Sequence, residues 1–438
     1  MDKLPDTHVV SSPRPLRILS LDGGGIRGLS SLIILEEIMR KVVEAEKLPD
    51  AVRPCDYFDL IGGTSTGGII AIMLGRLEMT VDACIKAYRK VAAQAFTPKF
   101  GRIFPASPRG AFSSKALESA MKQVIRENCV ETGCREQRSQ GIPTGQTCPH
   151  EGMTFYDDDS STKTVVVAIT KENVNASPTL LKSYDSSPNF RSCPIWQIAR
   201  ATSAATTFFK SIRIGRDEIE FIDAGFGYNN PCELIISEAE RLFPAGREMK
   251  ILSIGTGIGD VVAIKDKRLS ILKALKKMAT SSSKVEASLH DRYGDGGQYY
   301  RFVVNEGLGN VALSDWELAS QISAHTHNYL RGQQKRIELY VKDSRTDPIL
   351  LALPKSESEE AIRETARSTE LPDMLKPTKF NQKGSVFHCI VSGKDINQGN
   401  RLEITRPELL YSLVQEGSHF GGQVRAEQRI EQGNCISL

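Results

Sequence analysis

The sequence predicts an α/β protein with a mostly parallel sheet covered by helices on both faces. Three observations predict it. Short apolar runs alternate along the chain with longer stretches of helical spacing. The run at 164–169 is nearly continuous valine, as a parallel strand covered on both faces requires. Strand-like runs end in glycine-bearing turns at 22–28 and 255–257.

Taken in order, residues 1–15 form a loose tail with Pro13 and Pro15. A buried strand at 16–21 ends at Asp22 and three glycines. Residues 29–43 carry apolar positions at helical spacing, and 57–61 reads as a second strand. A helix of small residues follows at 66–76. After the valine strand come a helix at 194–209 running into a loop, strands at 218–222 and 249–254, and helices at 233–242 and 314–330. Residues 126–162 are polar and cysteine-bearing and break the alternation as an insertion. Residues 353–383 show no clear period, and 385–392 with 401–405 are expected to pair as strands. One domain over 16–345 and a C-terminal region over 346–438 of unassigned role follow from this pattern. No internal repeat is visible.

Bulk properties exclude some classes. The chain has 438 residues, 40% hydrophobic and 25% charged, which is ordinary for a globular protein. A net charge of +3 gives no support for nucleic-acid binding. The first 17 residues show no apolar leader segment, and nine scattered cysteines suit reduced thiols. The longest uncharged run, 60–75, is interrupted by Thr64, Ser65, Thr66 and glycines, so it is too polar to span a bilayer. The expectation is a cytoplasmic protein that meets lipid transiently, from the membrane surface.

Three motifs carry chemistry. Gly63-Thr64-Ser65-Thr66-Gly67 fits G-x-S-x-G, with a strand before and a helix after. That context puts a serine hydroxyl on a sharp turn at a helix N-terminus, where developing negative charge is favoured. The plainer alternative is a glycine-rich turn with an idle serine. Asp22-Gly23-Gly24-Gly25-Ile26-Arg27-Gly28 formally contains G-x-G-x-x-G. A dinucleotide site would need an acid at the end of the next strand, about 20 residues on. Glu44 and Glu46 instead sit in a helical stretch, so an anion-binding loop of backbone N–H groups is preferred. Asp223-Ala224-Gly225 places a carboxylate just after a strand. Alone it is an ordinary turn. With the other two it supplies the base of an ester-cleaving set: oxyanion hole, nucleophile and base.

In content and order these motifs resemble the patatin-like phospholipase family, over about residues 16–330. The segment 199–205 and Asn229-Asn230-Pro231 resemble the family's stretches before and after its aspartate. The family often has Pro where Thr206 stands and Gly where Ala224 stands, which bears on pocket shape. The resemblance implies a three-layer α/β/α fold and a serine–aspartate dyad without histidine. It implies Ser65 as nucleophile and Asp223 as base. Gly23, Gly24, Gly25 and Arg27 would line the oxyanion and substrate site. Asp22, Gly28, Gly63, Gly67 and Gly225 complete the motifs. The implied activity is hydrolysis of acyl esters in phospholipids or acylglycerols, with no cofactor and no metal. Alternatives are a Ser-Asp-His triad using His290, His325 or His327, and an inactive lipid-binding scaffold.

Weaker signals remain. Cys129, Cys134, Cys148 and His150 form C-x4-C…C-x-H. Free cysteines on surface loops are preferred to a zinc site, because the C-x-H pair is unusual. Lys265, Lys267, Arg268, Lys273, Lys276 and Lys277 with Leu269, Leu272 and Leu275 suit either a helix on anionic membrane or a solvated surface helix. Residues 99–112, with Phe100, Phe104 and Phe112, are a second candidate lipid-facing loop, though core packing is preferred. The terminal Cys435-Ile436-Ser437-Leu438 has the form of a prenylation box, but Ser437 and the few basic residues upstream weigh against it.

Overall fold

The computed structural model describes residues 14–48, 52–96, 112–173, 177–206, 208–244, 247–257, 269–294 and 296–345, with four short strands beyond. The tail before 14, most of the phenylalanine loop 99–112, the side chains of the basic stretch 265–277, residues 353–377 and Cys435 lie outside them. Contacts divide the chain into two units, 1–348 and 349–438.

In the first unit, strand β1 (Leu16–Leu21) feeds the glycine loop and helix α1 (Gly28–Glu46). A helical turn α2 (Pro54–Tyr57) precedes strand β2 (Leu60–Thr64), and α3 (Thr66–Ala71) continues as a π turn over Ile72–Arg76. Then come α4 (Val81–Ala95), α5 (Ser114–Glu127), α6 (Thr132–Ser139), β3 (Lys163–Thr170), β4 (Thr179–Lys182) and α7 (Ile195–Thr202). Strands β5 (Ile212–Ile214) and β6 (Ile219–Asp223) lead to α8 (Gly225–Tyr228) and α9 (Cys232–Leu242). The unit closes with β7 (Met249–Ile254), α10 (Leu269–Tyr293), β8 (Tyr299–Phe302) and α11 (Ala319–Asp343).

The sheet has eight strands in the order β5-β6-β3-β2-β1-β7-β8, with β4 also beside β3. From β3 to β8 every pairing is parallel, whereas β4, β5 and β6 are joined by antiparallel pairings. The sheet is therefore mixed, with a parallel centre. Its period-two alternation sorts the core into two layers. Leu19, Leu21, Ile61, Leu252 and Ile254 join a cluster with side chains of α1, α3, α4, α5, α7 and α11. Ile18, Leu60, Val165, Ile251 and Tyr299 join the other, with Cys232, Ile235 and Ile236 of α9 and Leu289 of α10. Helices on both faces make three layers.

Several expectations shift. The strand expected at 57–61 begins only at Leu60, because Pro54 starts a helical turn that Asp56 caps through the Arg53 N–H. The helix expected at 314–330 starts at Ala319 and runs to Asp343, since buried Leu330, Ile337, Tyr340 and Val341 continue its apolar stripe. The helix expected over 194–209 stops at Thr202. In the second unit β9 (Thr378–Gln382) and β10 (Ser385–Cys389) form an antiparallel hairpin, while β11 (Leu402–Glu403) pairs with β12 (Val424–Arg425). The strand pair expected between 385–392 and 401–405 is thus corrected. Only Lys383 and Gly384 separate β9 from β10, the spacing of a tight hairpin. Among the described residues, no helix is long and apolar enough to cross a membrane.

Candidate active site

Strand register sets the site. Thr64 at the end of β2 pairs with Val167 of β3, and Ala168 pairs with Asp223 at the end of β6. Ser65, one residue past Thr64, therefore comes level with Asp223 across β3. Because β6 is antiparallel to β3, Asp223 reaches this level through register and not through the carboxyl-edge rule of parallel sheets.

Ser65 has φ 56° and ψ −125°, a conformation that favours glycine, and it is followed at once by α3. Its neighbours must be small. A Cβ on Gly63 would lie 2.3 Å from the Gly67 carbonyl carbon, and one on Gly67 would lie 2.3 Å from the Leu21 oxygen. The Ser65 N–H donates to Thr202 Oγ1 at 2.8 Å, and that hydroxyl donates to the Val167 carbonyl at 2.8 Å. Thr64 Oγ1 donates to the Tyr228 carbonyl at 2.8 Å. The elbow is thus tied to β3 and to α8.

Ser65 Oγ donates to Asp223 Oδ2 at 2.5 Å, and both residues are buried. Asp223 Oδ1 accepts the Gly225 N–H at 2.7 Å. Burial pushes the Asp223 carboxyl up from 3.8 to about 6, while the bonds from Ser65 and Gly225 pull the other way. Among the described residues, no histidine hydrogen-bonds Ser65 or Asp223. His290 and His327 are exposed on their helices, and His325 lies against Gly307.

The glycine loop abuts this pair, since a Cβ on Gly23 would sit 3.0 Å from Ser65 Cβ. Its N–H groups differ. That of Gly23 donates to the Asn229 carbonyl at 3.1 Å, so it is engaged. That of Gly24 donates to the Thr66 hydroxyl at 3.1 Å, an exchangeable partner. That of Gly25 has no acceptor among the described residues. Gly25 has φ +56°, and a Cβ there would lie 2.1 Å from the Leu313 oxygen. The loop is pinned by Thr256 Oγ1 donating to the Gly23 carbonyl at 2.7 Å and Tyr88 Oη donating to the Gly25 carbonyl at 2.5 Å. A Cβ on Gly28 would lie 2.4 Å from Tyr88 Oη, so this glycine gives the tyrosine its room.

The Arg27 guanidinium is buried and donates to the carbonyls of Val311 and Gly257, which fastens the loop. Asp22 heads the loop and pairs with buried Arg301 of β8. Thr66, Tyr88, Thr256 and Arg301 are positioning residues that the motifs do not reveal. Arg301 carries a readable signal, being an arginine inside an apolar strand run.

Cys129, Cys134 and Cys148 are free thiols, but their expected surface-loop placement is corrected: all three are buried, and their sulfurs converge on His150. Of the phenylalanine loop, Phe112 is described. Its ring stacks on Phe208 and meets Phe96 edge-on, and Phe112 and Phe208 are half-buried against the core.

The described site can be set beside known proteins. Residues 19–236 match the family model Patatin-like phospholipase. Calcium-independent phospholipase A2-gamma of Homo sapiens is 29% identical over 246 residues, which is 56% of this chain and 28% of that one. Patatin-17 of Solanum cardiophyllum is 30% identical over 266 residues, 55% of this chain and 60% of that one. Probable inactive patatin-like protein 9 of Arabidopsis thaliana is 26% identical over 262 residues, 56% of this chain and 62% of that one. The chain therefore spans less than two thirds of the length of each. The serine elbow, glycine loop and aspartate all lie inside the residues that the family model matches, and through residues 19–236 this chain belongs to the patatin-like phospholipase family.

Proposed function

We propose that the protein is a lipid acyl hydrolase that cleaves fatty-acyl esters of phospholipids or acylglycerols with Ser65 as nucleophile and Asp223 as base. The observation that carries this reading is the buried 2.5 Å hydrogen bond from Ser65 Oγ to Asp223 Oδ2, with no histidine between them. Family membership supports the reaction class.

Asp223 removes the Ser65 proton as Oγ attacks the ester carbonyl carbon. The N–H groups of Gly25 and Gly24 receive the oxyanion, the latter by exchanging its Thr66 partner. The tetrahedral intermediate collapses, the ester C–O bond breaks, and protonated Asp223 gives its proton to the leaving alkoxide. An acyl-Ser65 ester remains. Asp223 then takes a proton from water, and the resulting hydroxide attacks the acyl carbon. Fatty acid leaves as the proton returns to Ser65 Oγ. Burial matters here because a carboxylate titrating at about 6 is a far better base than an exposed aspartate, yet is still ionised at neutral pH.

The test is fatty-acid release from phospholipid vesicles by wild type and Ser65→Ala, with no divalent cation added. Release that disappears in Ser65→Ala supports the reading. Equal release by both removes Ser65 as nucleophile. No release by either, from phospholipid or from acylglycerol emulsions, favours the scaffold reading.

A further inference from the structure

We propose that Cys129, Cys134, Cys148 and His150 bind one zinc ion in a closed structural site. None of these residues takes part in the acyl chemistry, so the inference stands apart from the proposed function.

The geometry is that of a ligand shell. Sulfurs of Cys129, Cys134 and Cys148 lie 3.4, 3.5 and 3.4 Å from His150 Nδ1. All four donor atoms fall within 4.8 Å of one another. With Zn–S near 2.3 Å and Zn–N near 2.0–2.1 Å, a tetrahedral site has S···N edges of about 3.5 Å and S···S edges of about 3.8 Å.

Hydrogen bonding does not account for the cluster. A neutral imidazole has a single in-plane lone pair, so Nδ1 can accept from one thiol and not from three. A cation at the centre of the four atoms satisfies that lone pair and three thiolates together. The shell is also tied locally, since the backbone N–H of His150 donates to Cys148 Sγ at 3.4 Å.

The local sequence also needs a cross-link. Between Asn128 and His150 the only aliphatic side chains larger than alanine, proline aside, are Val130 and Ile142, and Ile142 is 45% exposed. Such a segment cannot bury enough apolar surface to order itself, which is the situation metals resolve in small modules. With four protein ligands no position is open for water or substrate, so the ion would hold structure and not do chemistry.

The site has a route to the elbow. The Met153 N–H donates to the His150 carbonyl at 3.0 Å. The next carbonyls, of Thr154 and Phe155, accept from Arg76 at 3.0 and 3.1 Å. Arg76 also pairs with Asp157 at 3.2 Å and ends the helical segment that begins just after Ser65. Zinc at the cluster would therefore steady the far end of the nucleophile helix.

The test is the metal content of the purified full-length chain. One zinc per chain is expected in wild type and in Ser65→Ala, and loss of that zinc in Cys134→Ser and in His150→Ala. Exchange of wild type with cobalt(II) should give the visible and thiolate charge-transfer bands of a tetrahedral sulfur-rich site, a readout that does not depend on any variant folding. Chelation should lower the melting temperature, and zinc but not magnesium should restore it. Substoichiometric zinc after purification in zinc-containing buffer, a stoichiometric metal other than zinc, or a cobalt spectrum without thiolate bands would overturn the assignment.

Discussion

Asp22 and Arg301 meet as a two-bonded ion pair, Oδ1 to Nη1 at 2.8 Å and Oδ2 to Nη2 at 2.5 Å, with both side chains 3% exposed. Arg301 also donates to Ser253 Oγ at 2.8 Å, so β8 reaches across β7 to hold the head of the glycine loop. Removing one partner strands a buried charge. Arg301→Leu should cost about 3–5 kcal/mol in urea denaturation. Asp22→Leu combined with Arg301→Leu should recover much of that loss. A cost near zero for Arg301→Leu would mean that the pair does not hold the loop.

In the proposed reaction Asp223 links activity to pH. Its carboxyl titrates at about 6, because burial disfavours the charged form. As a base it must be ionised, so kcat/KM should rise with pH through about 6 and then level. The stability effect has the opposite slope. The native state holds a proton that the unfolded chain releases between 3.8 and about 6, so stability falls as pH rises across that window. Asp223→Asn should be inactive yet more stable than wild type by up to about 3 kcal/mol at pH 7, with the gain gone below pH 4. Melting curves of both proteins at several pH values measure this. A wild-type rate independent of pH from 4 to 8 would rule out Asp223 as the base.

Arg27 should behave as a fastener. Its donors go to the carbonyls of Val311 and Gly257, and burial lowers its own affinity for a proton. Arg27→Lys keeps a charge but cannot reach both carbonyls with the same fork. The expected result is a stability loss of about 2–4 kcal/mol with KM nearly unchanged for the folded enzyme. A large rise in KM with unchanged stability would return Arg27 to the substrate site.

The parallel centre of the sheet is readable because its strands are covered on both faces. That makes 16–21 and 249–254 predominantly apolar runs, broken only by Arg17, Ser20, Lys250 and Ser253, and the strands occupy Leu16–Leu21 and Met249–Ile254. The antiparallel edge is not readable in this way. Nothing local in Ile219–Asp223 states its direction, which is set by pairing with β3. Tyr57 and Phe58 suit a strand by propensity, yet Pro54 and Asp56 settle the preceding turn first. The glycine-rich motifs are legible because steric need forces glycine around Ser65 and at Gly25. The partners that hold them, Thr202, Thr256, Tyr88 and Arg301, come from distant segments. The cysteine cluster is hidden for a related reason. Its 13-residue gap from Cys134 to Cys148 closes only once α6 folds back, so spacing alone points to loose thiols.

Covalent trapping tests Ser65 as the nucleophile without intermediaries. Wild type treated with a long-chain alkyl fluorophosphonate should gain one phosphonyl adduct, located by peptide mass spectrometry on Ser65. Asp223→Asn should label far more slowly, since its amide cannot take the serine proton. An adduct on another residue, or continued fatty-acid release by protein fully labelled at Ser65, would exclude Ser65 as the nucleophile.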